Sequence, residues 1–373
     1  MQPSKHRTWA EINLGAIEHN YRVICAHAKA PVLCVVKADA YGHGAVPVAL
    51  RLQAMGAPYF AAATVPEAVE LRENGITRPI LILGYVDAAD MDTIAHYHIT
   101  APVYDGETAQ LLSEAAVRTG NKITVHYKLD TGMTRLGFPA WDCERTVQEI
   151  LSCSGLPGLH SEGIFTHFAV SDVPEGRVYT EQQYQRFSDV CEGLRQAGLE
   201  LPLRHCANSG GIQHYGNMHC TMTRAGIILY GYRPDASVPP VLDLRPAMTV
   251  KARVVQVREI PAHTTVSYGR TFETAEPTRM AVISIGYADG YLRTGSGRAH
   301  VVLGGQKTPV LGRICMDMCM ARVPDGMEVR RGDEVTVFGP EIWTAEDAAT
   351  AAGTISYEVL CAASSRVPRF YIG

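Results

Sequence analysis

Eight short runs rich in apolar and β-branched residues punctuate the first two-thirds of this chain, near 33–37, 59–64, 80–85, 100–104, 123–129, 161–167, 203–207 and 222–229. Helix-like sequence separates each run from the next, and that alternation constrains the fold more than any other feature. A strand that is apolar on both faces must be covered on both, and consecutive parallel strands need a helical crossover between them. The intervening segments have the right character. In VPEAVELRENG (65–75), Pro66 opens a helix and Gly75 closes it. Between Gly15 and Lys29, the residues Ile17, Tyr21, Ile24 and Ala28 recur at the spacing of one helical face. Eight β/α alternations suit a closed parallel (β/α)8 barrel of the TIM type, with function at the C-terminal ends of its strands. A doubly wound open sheet is the competing arrangement.

After Tyr232 the texture changes. Pro234, Pro239, Pro240 and Pro246 mark a connection, and then KARVVQVREI (251–260), MAVISIGYADGY (280–291), AHVVLGG (299–305) and DEVTVFG (333–339) read as strands without long helices between them. The expectation is an α/β chain in three parts. An N-terminal strand within 1–14 pairs with the last domain, a barrel spans 15–240, and a mostly-β C-terminal domain spans 241–373.

Composition narrows the function classes. A formal charge of −4 over 373 residues offers no concentrated basic patch for nucleic acid. No apolar stretch approaches the ~20 residues of a membrane-spanning helix, and MQPSKHRTWA (1–10) lacks the apolar core of a secretion signal. The ten cysteines are therefore expected to be reduced in a cytoplasmic protein. Cys315 and Cys319 form one close pair, but no second pair completes a zinc site, so no metal is expected.

On the barrel reading, the strand ends should carry the chemistry. The first run ends on Lys37, in VLCVVKADAYGHG (32–44), where flanking valines disfavour an ammonium and favour a nucleophilic amine. Tyr41 could offer its hydroxyl to a phosphate, with Gly42 and Gly44 allowing a tight turn. The fifth run leads into KLDTGMTRLG (128–137), with Lys128, Asp130 and Arg135; the sixth ends at His167. The seventh ends in HCANSGG (205–211) and the eighth carries TRAGI (223–227). A lysine at a strand end is usually a solvated terminus, and a single histidine is usually a satisfied core group. Five such endings on one rim are harder to ascribe to chance. Ser209 with Gly210 and Gly211, and Gly226 with Ile227, would present amides and a hydroxyl where barrels of this type bind phosphate.

Taken together, VVKADAYGHG (35–44), KLDTGMTRLGF (128–138), FTHFAVSD (165–172), ANSGG (207–211), TRAGIILYG (223–231), VSYGRTF (266–272), IGYADGY (285–291), GRICMDMCM (312–320) and TISYEVLC (354–361) resemble the alanine racemase family. These are fold-type III enzymes that use pyridoxal 5'-phosphate, and the likeness runs through nearly the whole chain. It implies a homodimer packed head-to-tail, with active sites shared across the interface, that interconverts L- and D-alanine for cell-wall precursors. Lys37 would hold the cofactor and act as base on one face of the α-carbon, and Tyr268 on the other. His167 and the arginine beyond it would activate that phenol, whose free pKa is ~10. Arg224 would donate to the pyridine nitrogen without surrendering a proton, supported by His205. Tyr41, Asn208, Ser209, Gly226, Ile227 and Tyr357 resemble the other cofactor ligands. Arg135 and Met316 match the contacts to the substrate carboxylate, with Tyr287 and Tyr357 lining the narrow approach. Lys128 matches a lysine that many relatives carry as a carbamate; an ordinary pairing with Asp130 is its plain alternative.

Rival functions keep their place. A serine or serine/alanine racemase of the vancomycin-resistance type is nearest, and Tyr357 argues for the smaller pocket. Cofactor-buffering proteins built on the barrel alone lack the region that holds Tyr268 and Met316. Decarboxylases of basic amino acids place a cysteine and an acidic specificity element where this chain has Tyr268 and CMDM (315–318).

Overall fold

A computed structural model describes residues 5–373. Eight parallel strands form the barrel: Val32–Val35, Tyr59–Ala62, Ile80–Ile82, Ala101–Val103, Ile123–Asp130, Leu159–Phe165, Leu203–His205 and Thr223–Ala225. Neighbours pair in chain order, and the ring closes where Thr223–Ala225 pairs with Val32–Cys34. Two seams are thin. A bridge between Leu81 and Thr100 joins the third strand to the fourth, and the seventh meets the eighth through Thr221 N to Arg204 O and Arg224 N to Ala207 O. The ring is closed, so the open-sheet alternative does not apply.

The helices form where caps and apolar faces coincide. Asn13 accepts from Ala16 N to start Leu14–His27, whose buried residues include Ile17, Tyr21 and Ile24. Thr64 caps Val65–Glu73, and Asp105 caps Gly106–Thr119, which Gly120 ends in the left-handed conformation. One core runs from the barrel into the second body without a break.

That second body is organised by one long strand, Met248–Ile260, which pairs antiparallel with Thr278–Ile283 and Glu334–Phe338. Thr8–Asn13 also pairs antiparallel with it, and Arg369–Ile372 lies parallel on the far side of Thr8–Asn13. Both ends of the chain thus close the same sheet. One expected strand is shorter than its apolar pattern. MAVISIGYADGY stops as a strand at Ile283, and Tyr287–Asp289 forms a 3-10 turn. Gly286 causes the break: its backbone lies so close to the Cys315 and Met316 carbonyls that no Cβ would fit. Tyr287 N and Ala288 N then donate to those same two carbonyls, both at 3.0 Å.

Candidate active site

The first barrel strand ends at Val35, two residues before Lys37, and the turn beyond that lysine is unusual. Ala38, Asp39, Ala40 and Tyr41 all have φ between 52° and 54°, one turn of left-handed helix built from non-glycine residues. Each such residue costs roughly 1–2 kcal/mol, so the surroundings must hold the turn. Glu67 does so from the next helix, accepting Ala38 N at 2.8 Å and Ala63 N at 2.7 Å. Asp39 Oδ1 accepts from Ala45 N at 2.7 Å, and Arg369 Nε donates to the Gly42 carbonyl at 3.0 Å. The turn throws Lys37 inward on one side and brings the Tyr41 ring against Tyr230, centroids 4.9 Å apart.

A cavity of about 400 Å³ lies at this rim, lined by Lys37, Lys128, Arg135, Phe165, His167 and Arg224, with Tyr85 at its edge. Four cationic side chains and one imidazole converge there, and their charges disfavour one another. Burial, and then Arg135, lowers the Lys37 ammonium pKa. The same two causes bring Lys128 down to about 7. His167 is pushed well below the ordinary histidine range, first by burial and then by Arg224. A cavity of this charge selects an anionic guest.

Arg224 is buried, and all five of its hydrogen bonds leave from Nη1 and Nη2. Nη1 reaches His205 Nδ1 at 3.0 Å and the His205 carbonyl at 2.8 Å; Nη2 reaches the Thr166 and Cys206 carbonyls at 2.6 and 3.1 Å and His167 Nδ1 at 3.3 Å. Nε has no protein acceptor among the described residues. The guanidinium is thus clamped on one edge and available on the other. Phe165 sits 5.2 Å beneath Lys128 Nζ and 5.7 Å from the Arg224 guanidinium carbon, and stacks on His205. An aromatic at a strand end reads as core, so only its place between two cations reveals this role.

On the adjoining side, the seventh and eighth strands turn into short helical segments at Ser209 and Ile227. Gly226 N donates to Ser209 Oγ at 3.1 Å, and a Cβ built on Gly226 would lie 2.7 Å from the Tyr41 hydroxyl. Tyr41, Ser209 and the Gly226 backbone therefore surround a space that only glycine leaves open. Asn208 caps the first segment, accepting from Gly211 N at 2.9 Å and from Ser171 Oγ at 2.7 Å. Tyr357 completes the wall, its ring 6.0 Å from that of Tyr41, and burial raises the pKa of both phenols.

Three candidates lie elsewhere. Tyr268, Tyr287 and Met316 belong to the second body, are 66%, 40% and 53% exposed, and do not line the cavity of this same chain. They stand close to one another in the fold: Ser267 Oγ donates to the Arg313 carbonyl at 2.6 Å, and Ala288 N to that of Met316. Ser267 at φ 67° and ψ −176° occupies backbone space almost reserved for glycine. Glu67, Asp39 and Phe165 are contributors that the motifs alone do not single out.

Comparisons with known proteins bear on this geometry. Residues 12–234 match the model of the alanine racemase N-terminal domain, and residues 247–371 that of the C-terminal domain. The alanine racemase of Desulfovibrio desulfuricans is 44% identical over 369 residues, covering 98% of each chain. Among solved structures, the alanine racemase of Clostridium difficile superposes with a TM-score of 0.95 at 40% identity, over 98% of this chain and 96% of that one. That of Streptomyces lavendulae gives 0.95 at 34% identity, over 100% and 98%. Two domain matches in the right order, and likeness over the full length in both sequence and fold, leave one conclusion: the chain belongs to the alanine racemase family.

Proposed function

We propose that this chain binds pyridoxal 5'-phosphate at Lys37 and interconverts L- and D-alanine. The observation that carries the reading is one cavity holding both a buried lysine with a disfavoured ammonium and a clamped arginine that can only donate. The residues present fit the cofactor. The glycine-sized space between Tyr41, Ser209 and Gly226 suits a phosphate, with the Ile227 amide and Tyr357 beside it. Asn208 stands at the same segment, and Arg224 Nε is available to a ring nitrogen.

When bound, the cofactor supplies an electron-withdrawing ring that acidifies the α-hydrogen of an amino acid joined to it. The rest is the work of the chain. Arg224 would donate an N–H to a ring nitrogen yet keep its proton, which would leave negative charge near the α-carbon, where reprotonation completes a racemisation. Burial lowers its pKa to about 10, still too high for it to give that proton away at neutral pH. The Lys37 amine takes or returns the α-proton on one face, and Tyr268 of a second copy does so on the other. A two-base inversion needs an acid and a base on opposite faces, and Lys37 supplies one of them. Arg135 pairs with the substrate carboxylate, and the Met316 N–H of the second copy adds a donor. Tyr287 and Tyr357 narrow the approach. In support of the homodimer, Tyr268, Tyr287 and Met316 form an exposed group that the cavity of the same chain does not use. No helix among the described residues is long and apolar enough to cross a membrane.

Chiral chromatography of L-alanine and L-serine, incubated side by side with purified protein and cofactor, tests the reading. Fast racemisation of alanine and slow racemisation of serine is expected. Equal rates would move the assignment to a serine/alanine racemase, and loss of neither L-enantiomer would end it.

A further inference from the structure

We propose that Glu162 is a positioning residue for Arg224, acting from the opposite end of the barrel through His205 and His126; this rests on Arg224 facing the cofactor. The chain of contacts is continuous. Arg224 Nη1 meets His205 Nδ1 at 3.0 Å, His205 Nε2 meets His126 Nδ1 at 2.9 Å, and His126 Nε2 meets Glu162 Oε2 at 2.9 Å. Tyr59 donates to the same carboxylate oxygen at 2.9 Å, and Thr100 lies 2.8 Å from the Tyr59 hydroxyl.

Elementary hydrogen-bond chemistry gives every link one direction. A guanidinium has no acceptor, so His205 Nδ1 must be bare and its proton must sit on Nε2. That Nε2–H donates to His126 Nδ1, which is therefore bare in turn, and the His126 Nε2–H donates to Glu162. A carboxylate can only accept, so the chain ends there as an anion. Both histidines are neutral single tautomers because a donor-only cation stands at one end and an acceptor-only anion at the other. Burial agrees: it lowers the pKa of both imidazoles, and the His126 hydrogen bond lowers that of Glu162. Other ionisable groups facing the chain are His160 and Tyr59 near Glu162, Lys128 near His205, and Cys206, Cys220, Arg135 and His167 near Arg224.

Position makes the arrangement informative. Phe165 lines the cofactor cavity, and Glu162 lies three residues earlier on the same strand, about 10 Å away at ~3.3 Å per residue. It is about a quarter exposed, whereas His126 is fully buried. Residues at that end of a barrel ordinarily serve stability. A purely structural filler, however, would not need two polar rings in succession through an otherwise apolar core. Each ring that donates onward becomes a better acceptor for the donor behind it. The carboxylate thereby strengthens the grip of His205 on Nη1, keeps Nε turned to the cavity, and tempers the positive field at the ring nitrogen.

The test uses the holoenzyme labelled with 15N-histidine. In the native protein, both rings are expected to show a protonated Nε2 and a bare Nδ1. Glu162→Gln keeps the shape and an acceptor oxygen but removes the charge. It should shift the His126 Nε2–H resonance and the absorbance band of the bound cofactor. It should also lower kcat about tenfold, the scale of one charge-assisted hydrogen bond, with little change in KM. Tyr59→Phe removes the competing donor, leaves the carboxylate more basic, and should move the same ring resonance the opposite way. Should Glu162→Gln fail to fold, the native tautomers and Tyr59→Phe still decide. The ring signals need no substrate, so a chain that racemised some other amino acid would leave this test standing. A proton on Nδ1 of either ring overturns the proposal, as does a Glu162→Gln enzyme with unmoved cofactor absorbance and unchanged kcat.

Discussion

Lys128 and Arg135 share one wall of the barrel cavity, and no carboxylate stands between them. Asp130 lies in the same stretch but turns away, its Oδ1 accepting from Gly132 N and Thr134 N at 2.9 and 3.0 Å. Among the described residues, Lys128 Nζ donates only to the Leu83 carbonyl, at 3.2 Å. Pairing with Asp130, the plain alternative, is thus not what the geometry offers. An amine with a pKa brought down to about 7 is largely a free base at mildly alkaline pH, and a free base adds carbon dioxide. The nitrogen lone pair bonds to carbon, a proton leaves, and the resulting anion finds Arg135, Arg224 and Lys37 around it. Protein equilibrated with 13C-bicarbonate should show a carbamate carbon resonance that Lys128→Met lacks. Loss of the anion should raise KM for alanine about tenfold through a misdirected Arg135. A native spectrum without that resonance would rule the modification out.

The same lysine should leave a mark on stability in buffer free of carbon dioxide. Its pKa falls from 10.5 in the unfolded chain to about 7 in the fold. Between those values the unfolded state binds more protons, so stability rises with pH across that window. Below about pH 7 the full cost of burying the charge is present; near pH 10 it is nearly gone. Lys128→Met should therefore raise Tm most at low pH, with a ceiling of a few kcal/mol at about 1.4 kcal/mol per pH unit. A gain independent of pH would mean that lost packing strain, not charge, was the cause.

The barrel was legible because its signal is local: each of the eight strands is announced by its own apolar run, and a helix such as Val65–Glu73 by Pro66 and Gly75. What stayed hidden was either non-local or out of character for its residues. Nothing about Ala38 or Ala40 favours a left-handed turn; Glu67 and Arg369 help to hold it from distant parts of the chain. Gly286 looks like one more residue in a strand until the Cys315 carbonyl is placed against it. The rim residues could be nominated from motif and strand ending alone. His126 and Glu162 could not, since alternation in a strand does not distinguish a polar relay from a polar accident.

Tyr268→Phe should nearly abolish racemisation while leaving cofactor absorbance unchanged, because the phenol projects from the second body and does not line the cavity of its own chain. Mixing inactive Lys37→Ala and Tyr268→Phe proteins should restore part of the activity once subunits exchange, since one of the two sites in a mixed dimer then has both bases. Exchange shown by mass-labelled subunits, with no recovered activity, would place Tyr268 and Lys37 of one chain in the same site.

Gly226→Ala should weaken cofactor binding without unfolding the barrel. The added Cβ would sit 2.7 Å from the Tyr41 hydroxyl and 3.5 Å from Ser209 Oγ, in the space assigned to phosphate. An affinity loss of about tenfold or more is expected, with the cofactor-free protein still folded and its melting temperature lowered only by the displacement of the Tyr41 hydroxyl. Equal affinity in a titration monitored by cofactor absorbance would remove the phosphate from this corner.

Arg224 should govern which reaction occurs more than how tightly the cofactor is held. Its Nη1 and Nη2 are committed to His205, His167 and three backbone carbonyls, and among the described residues Nε has no acceptor. Glutamate at this position accepts where arginine donates, and so stabilises a protonated ring nitrogen. The ring then draws charge away from the α-carbon. Arg224→Glu should slow racemisation, add an absorbing species at longer wavelength than the resting cofactor, and increase the side reaction that converts the cofactor to its amine form. The substitution also strips His205 of its donor, so the two effects must be separated. Arg224→Lys retains a cation but cannot reproduce the fork. It should slow racemisation without the long-wavelength species, because the ring nitrogen still meets no carboxylate. If Arg224→Glu kept the native rate and spectrum, the guanidinium would not be touching the cofactor, and the corner formed by the seventh and eighth strands would need another occupant.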